Sequence, residues 1–242
     1  MTQGPGFRYL GRELSLFAAA ANWKRYWASQ IRPYLGCRVL EVGGGLGENV
    51  GVLVSSAQQR WVCLEPDPGQ ALAIARKLQA GELPACCEVR ESTVEDLAVD
   101  EAFDTILYID VLEHIQDDRA ELAQAAGRLD VNGKLVVLSP AHRWLFSAFD
   151  AAIGHHRRYG ARQLKGRVPD GLSLVRLRYL DALGICASLA NRCFLRRGVP
   201  TEREIRLWDR ILVPLSRRVD PLLGYRVGKS LLAVWEKLPF RQ

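Results

Sequence analysis

Short apolar runs alternate with stretches of helical periodicity along most of the chain. Cys37–Val42 is a largely apolar run that ends in Gly43-Gly44-Gly45-Leu46-Gly47, and a helical pattern follows through Val54. This order predicts strand, tight loop, helix. Trp61–Leu64 repeats the strand signal, ends at Glu65-Pro66-Asp67-Pro68 and gives way to Ala71–Ala80, which is rich in strong helix formers. Cys86–Val89 and Phe103–Tyr108 read as two more strands and Asp117–Leu129 as a helix. Lys134–Ser139 reads as a fifth strand entered through the turn signal Asn132-Gly133. Alternating units of this kind predict an α/β fold, a parallel sheet covered by helices on both faces.

Two later segments, Leu172–Leu180 and Ser230–Glu236, are expected to pair as antiparallel edge strands. Between them, residues 181–228 place Ile205, Trp208, Ile211, Leu212 and Leu215 at the spacing of one helix face, which predicts an inserted helical cap. Residues 13–34 read as an N-terminal helix. Leu14–Ala21 is apolar enough to imitate the core of a signal peptide, but Glu13 interrupts its entrance and the charged, aromatic Asn22–Trp27 follows at once. The longest charge-free apolar stretches reach about half of the roughly 20 residues a bilayer requires. No membrane-spanning helix is expected.

Composition adds two points. The chain has 242 residues and a net charge of +6, with 48% hydrophobic and 25% charged residues, which excludes disorder and collagen-like repeats. That charge is unevenly placed: residues 1–140 carry 13 Lys and Arg against 19 Asp and Glu, whereas residues 141–242 carry 20 against 8. The basic half attracts phosphate-bearing substrates, anionic headgroups or nucleic acid. Six cysteines stand without a Cys-x-x-Cys pair or a histidine pair at zinc spacing, as reduced thiols of a cytoplasmic protein would.

The glycine loop after the first strand offers a surface that a ligand can approach closely, because glycine lacks Cβ and tolerates positive φ. Glu65, at the end of the second strand, can accept both hydroxyls of a ribose. The loop is neither the Gly-x-Gly-x-x-Gly of a dinucleotide site nor a P-loop with Lys-Ser/Thr, so a nucleoside with a short polar tail fits better.

Four segments in order, Val39–Gly47, Leu64–Asp67, Phe103–Leu107 and Val111–Ile115, resemble the successive motifs of class I S-adenosylmethionine-dependent methyltransferases. The resemblance covers roughly residues 20–180 and implies a Rossmann-like, seven-stranded sheet with a helical insertion before the last strand. It implies one domain over residues 1–242: a cap helix (1–35), a cofactor core (36–180), a helical insertion or lid (181–228), then the last strand and tail (229–242). It further implies that Gly43, Gly44, Gly45 and Gly47 touch the methionine end of S-adenosylmethionine, that Glu41 supports the loop or the amino group, and that Glu65 with Pro66 holds the ribose. Thr93 and Val94 would flank the adenine, and Ile109 and Asp110 would line the methyl and methionine region.

Asn22-Trp23-x-x-Tyr26-Trp27 and Gly154-His155-His156-Arg157-Arg158-Tyr159 look like a bacterial subgroup with a Gly-His-x-Arg-Arg-Tyr loop. The latter segment also resembles the Gly-x-His segment of the ubiquinone-biosynthesis O-methyltransferases. Methyl transfer mainly needs alignment of the acceptor, and a base is useful but optional when a hydroxyl or ammonium must lose a proton. His155, His156 and Tyr159 are the candidate catalytic residues, and Trp144, Arg157 and Arg158 the candidate substrate contacts, the arginines as bidentate partners for phosphate or carboxylate. Asp110, Glu113 and His114 stand at i, i+3 and i+4 and form a candidate magnesium set; similar sets occur in some quinone-pathway methyltransferases.

The expected reaction is methylation of a small molecule, at oxygen before nitrogen or carbon, on an anionic, lipid-linked or secondary-metabolite acceptor. The insertion would act as a lid, a dimer interface or a peripheral contact with an anionic membrane. A nucleic-acid methyltransferase is the rival enzyme, although Ile109–Leu112 stands where Asn/Asp-Pro-Pro-Tyr/Phe would be expected. A non-catalytic cofactor-binding protein is the rival of another class.

Overall fold

The computed structural model describes residues 19–190 and 201–239. Residues 13–18 of the expected N-terminal helix lie outside them. The first described helix, α1 (Ala21–Ile31), begins after Ala20, and a single tight turn at Arg32–Tyr34 leads into the sheet.

The sheet has seven strands in the order β3-β2-β1-β4-β5-β7-β6: β1 (Arg38–Val42), β2 (Arg60–Leu64), β3 (Cys87–Arg90), β4 (Phe103–Ile109), β5 (Leu129–Pro140), β6 (Leu172–Leu180) and β7 (Ser230–Lys237). The first five are mutually parallel, and β7 runs antiparallel between β5 and β6. Only β6 of the late pair is therefore an edge strand, which corrects the expectation of two. β7 is apolar on both faces from Leu231 to Trp235 and is buried, as an interior strand must be. β5 also begins earlier than expected. α4 (Asp118–Gly127) ends before Leu129, which already pairs with Phe103, and Asn132, with φ +64°, makes an irregularity inside the strand rather than a turn before it.

Alternate residues of the strands feed two apolar layers. Val39, Trp61, Leu107, Val136 and Val234 pack under α1 and the helical insertion, while Leu40, Val62, Ile106, Val137 and Ala233 pack on the opposite face. The insertion contains α7 (Gly184–Ala190), α8 (Glu202–Leu207) and α9 (Val213–Leu222), with a π-turn at Trp208–Leu212 joining the last two. The wider turn advances the helix phase. Ile205, Trp208, Val213, Ser216 and Asp220 consequently face inward while Leu207, Ile211 and Leu215 are exposed, so the single apolar face expected over 205–215 is split. The inward face is fastened to α1: Asp209 accepts the backbone N–H groups of Asn22 and Trp23, and Asp220 accepts the Tyr26 hydroxyl. Among the described residues no helix is long and apolar enough to cross a membrane.

Candidate functional site

The carboxyl ends of β1, β2, β4 and β5 converge on one cleft of about 1000 Å3, roofed by α1 and the insertion. Parallel sheets place ligands at this edge. The glycine loop forms its floor: Gly43 and Gly45 have φ of +71° and +57°, and a Cβ on Gly43 would lie 2.6 Å from Val111 Cγ2. Glu65 Oε2 accepts the Gly45 N–H at 2.7 Å, and Oε1 accepts the Asp67 N–H at 3.0 Å. Burial pushes the Glu65 carboxyl up, and those two backbone bonds oppose it.

Glu41 is fully buried beneath the loop and does not line the cleft. It accepts from Asn49 Nδ2 at 2.8 Å and from Trp61 Nε1 at 2.9 Å. Gly47 likewise sits outside the cleft, where a Cβ would press on Ile74. Gly43, Gly44, Gly45, Glu65, Pro66, Thr93, Val94, Ile109 and Asp110 do line it.

At the far end stands a cluster of titratable groups. His155 Nδ1 is 3.0 Å from Asp150 Oδ1, Arg158 Nε donates to the same oxygen at 2.7 Å, and Ser147 caps the other oxygen through its N–H and hydroxyl. Burial opposes ionisation of Asp150, but the bonds from His155 and Arg158 hold its carboxyl well below the usual range. A carboxylate only accepts, so Nδ1 of His155 carries a proton toward Asp150. Nε2 faces Glu113 Oε1 at 3.7 Å, a buried oxygen without a hydrogen-bond partner, while Glu113 Oε2 accepts from Ser139. Burial pushes Glu113 well up, with neighbouring Asp110 adding to it, and pushes Asp110 to about 6. His114, edge-to-face with His155, is held down to about 4 by burial and the adjacent imidazoles.

The six-residue segment that the sequence singled out is thus divided. His155 and Arg158 face the cleft, whereas His156 is exposed outside it. Tyr159 is fully buried, with its hydroxyl donated to Asp118 at 2.8 Å, and Arg157 binds Asp118 and the Gln116 carbonyl. Their partners make these two residues part of the scaffold rather than of the site. Trp144 is half exposed and packs on His142, also outside the cleft.

The expected magnesium set does not assemble. Among the described residues, the donor atoms that come within 4.8 Å of one another belong to Glu113, His114 and His155 and leave out Asp110. One carboxylate and two imidazoles do not match magnesium, which prefers oxygen ligands. Sequence reasoning missed Asp150, although Ser147-x-x-Asp150 is a capping-box spacing that marks a fixed carboxylate five residues before His155. It also passed over Lys229, whose isolated position carries no motif.

A family model described as "Methyltransferase domain" matches residues 40–135, the stretch that runs from the glycine loop to β5. Over that stretch the chain resembles the class I S-adenosylmethionine-dependent methyltransferases. A ubiquinone biosynthesis O-methyltransferase of Bradyrhizobium diazoefficiens is 33% identical over 109 residues, covering 45% of this chain and 42% of that protein. The chain thus spans less than half of that curated relative's length. Among solved structures, the N-methyltransferase NodS of Bradyrhizobium japonicum in complex with S-adenosyl-L-homocysteine superposes with a TM-score of 0.57 at 13% identity, covering 90% of this chain and 88% of that one. The [4+2]-cyclase SpnF superposes with a TM-score of 0.62 at 13% identity and 96% coverage of both chains. At such identities the likeness is one of fold, and a fold hosts many chemistries.

Proposed function

We propose that this methyltransferase transfers a methyl group from S-adenosylmethionine to a hydroxyl of a small anionic, lipid-linked or secondary-metabolite acceptor. The observation that carries the proposal is one continuous cleft with the glycine loop and Glu65 at one end and the Asp150–His155 pair at the other. The cofactor fits the residues present: the positive-φ glycines leave the loop free of side chains, and the acid matching the family's ribose ligand stands at the cleft. Gly43, Gly44, Gly45 and Asp110 would hold its methionine end, Glu65 the ribose, and Thr93 and Val94 the adenine. When bound, S-adenosylmethionine supplies an electrophilic methyl group.

The chain's own residues supply alignment and proton removal. His155 Nε2 accepts the proton of the acceptor hydroxyl as the oxygen attacks, and Asp150 stabilises the resulting imidazolium through Nδ1. Glu113 Oε1, facing Nε2, gives the new N–H an acceptor. Trp23, Trp27, Ile205 and Trp208 close the roof and exclude water from the reacting atoms. The base favours oxygen as the acceptor atom, and the relative's printed name, ubiquinone biosynthesis O-methyltransferase, points the same way.

Two measurements test this. Calorimetry should give micromolar binding of S-adenosylmethionine and S-adenosylhomocysteine, and labelled-methyl transfer against a small-molecule extract should yield a labelled product stable to conditions that cleave esters. Absence of binding removes the cofactor assignment, and binding without transfer removes the enzymatic one.

A further inference from the structure

Lys229 lies immediately before β7, and its backbone is fixed on both sides. Its N–H donates to the Asp181 carbonyl at 3.1 Å, and its carbonyl accepts the Ala141 N–H at 2.8 Å. The side chain is thereby aimed into the acceptor end of the cleft, with Nζ 3.6 Å over the Trp208 ring and 6.0 Å from Trp23. Its nearest carboxylate, Asp181 Oδ2, is 3.6 Å away. That carboxylate is already engaged by shorter bonds from Trp208 Nε1 at 2.7 Å, Ser216 Oγ at 2.7 Å and the Gly184 N–H at 3.1 Å. The Lys229 side chain is 20% exposed, and the carboxylate it pairs with is shared among several donors. Burial lowers its affinity for the proton, and Asp181 and Asp110 oppose that loss.

Arg158 faces the same space. Its Nε is committed to Asp150, while the side chain, 11% exposed, lines the cleft. Three carboxylates, Asp150, Asp181 and Asp110, stand near the two cations, and the first two are shared with other donors. Asp150 is shared between Arg158 and His155, and Asp110 lines the cleft beside them. A partly desolvated cation pair of this kind gains most from a ligand that brings a compact negative charge. The tryptophans beside it offer flat apolar walls to an aromatic or planar neighbour.

We propose that Lys229, together with Arg158, recognises a phosphate or carboxylate on the acceptor and seats the adjoining planar part against Trp208 and Trp23. This specificity role rests on the methyl-transfer reading above, and the two fail separately. Lys229 is a determinant of which acceptor binds, not a base.

The test is a calorimetric titration of the full chain, with and without S-adenosylhomocysteine, using phenyl phosphate, benzoate and the neutral benzamide. Both anions, or the one whose source chemistry matches the site, should bind about tenfold or more tightly than benzamide. K229Q should lose about tenfold in affinity for the preferred anion while its affinity for S-adenosylhomocysteine is unchanged, and K229R should retain most of the binding. Benzamide binding as well as the anions overturns the proposal, as does K229Q binding the anions like the unmodified chain. Should K229Q fail to fold, the anion preference of the unmodified chain and the behaviour of K229R decide alone. Failure of S-adenosylhomocysteine to bind counts against the methyl-transfer reading and leaves the anion preference measurable.

Discussion

Glu65 Oε2 accepts the backbone N–H of Gly45 at 2.7 Å, so the turns that follow β1 and β2 are held together by one carboxylate. The residue assigned to the ribose also fixes the shape of the loop assigned to the methionine end. Glu65→Ala should therefore weaken binding of S-adenosylhomocysteine by about 1–3 kcal/mol, since charge-assisted bonds are lost and a backbone donor is left without its partner. Unchanged affinity by calorimetry would show that neither role is real.

Gly43 cannot be replaced quietly. At φ +71° any side chain is strained, by about 1–2 kcal/mol, and a Cβ would stand 2.6 Å from Val111 Cγ2. Gly43→Ala should lower both stability and cofactor affinity. Adding Val111→Ala should recover the part due to overlap but not the part due to backbone conformation, a separation that a double-mutant cycle measures. Full recovery in the double variant would exclude the conformational share.

The parallel half of the sheet was legible because its signals are local: apolar runs, a glycine loop and capping residues such as Asp67, whose side chain accepts the Gln70 N–H ahead of α3 (Pro68–Gln79). The end assigned to the cofactor was legible for the same reason, since its residues lie at or within a few residues of the end of a strand. The acceptor end is assembled by tertiary contact. His155 and His156 are neighbours in sequence, and only packing reveals that the first is buried against Asp150 while the second faces solvent. Lys229 reaches the cleft because β7 is inserted between β5 and β6, a long-range pairing that no local pattern encodes. The split apolar face of residues 205–215 follows from one π-turn, whose extra residue alters the phase that helical periodicity assumes.

His155→Ala should lower methyl transfer by about 100- to 10,000-fold, the range of a positioned general base, with S-adenosylhomocysteine affinity preserved. His156→Ala should leave transfer at the level of the unmodified chain. Asp150→Asn should fall between them, because an amide that donates towards Nδ1 favours the wrong tautomer. Equal activity of all three variants in the labelled-methyl assay would move catalysis elsewhere in the cleft.

Glu41 gives the fold a pH dependence that can be read in isolation. Burial pushes its carboxyl from the ordinary 4.5 up to about 7, against the bonds from Asn49, Trp61 and Cys63. The folded chain binds this proton more tightly than the unfolded chain, so the contribution is fully present below about pH 4.5 and is lost as pH rises through 7. Urea unfolding of the unmodified chain and of Glu41→Gln should show their stability difference moving against the unmodified chain by up to about 3 kcal/mol between pH 4.5 and 8. A difference that stays flat over that range would mean that Glu41 titrates normally.

Asp220 ties three parts of the roof at one point. From α9 it accepts the Tyr26 hydroxyl of α1 at 2.5 Å and the N–H groups of Asp181 and Ala182, which follow β6, at 2.7 and 3.0 Å. It is fully buried, so truncation strands all three donors away from water. Asp220→Ala should cost about 2–4 kcal/mol in urea unfolding, whereas Tyr26→Phe, which removes one donor and leaves the carboxylate with two, should cost only about 1 kcal/mol. Because Asp181 also holds Trp208 and stands beside Lys229, Asp220→Ala should in addition weaken binding of an anionic acceptor analogue more than binding of S-adenosylhomocysteine. Equal loss of both ligands would indicate that the roof moves as one body with the cofactor loop, and unchanged stability would remove the tie altogether.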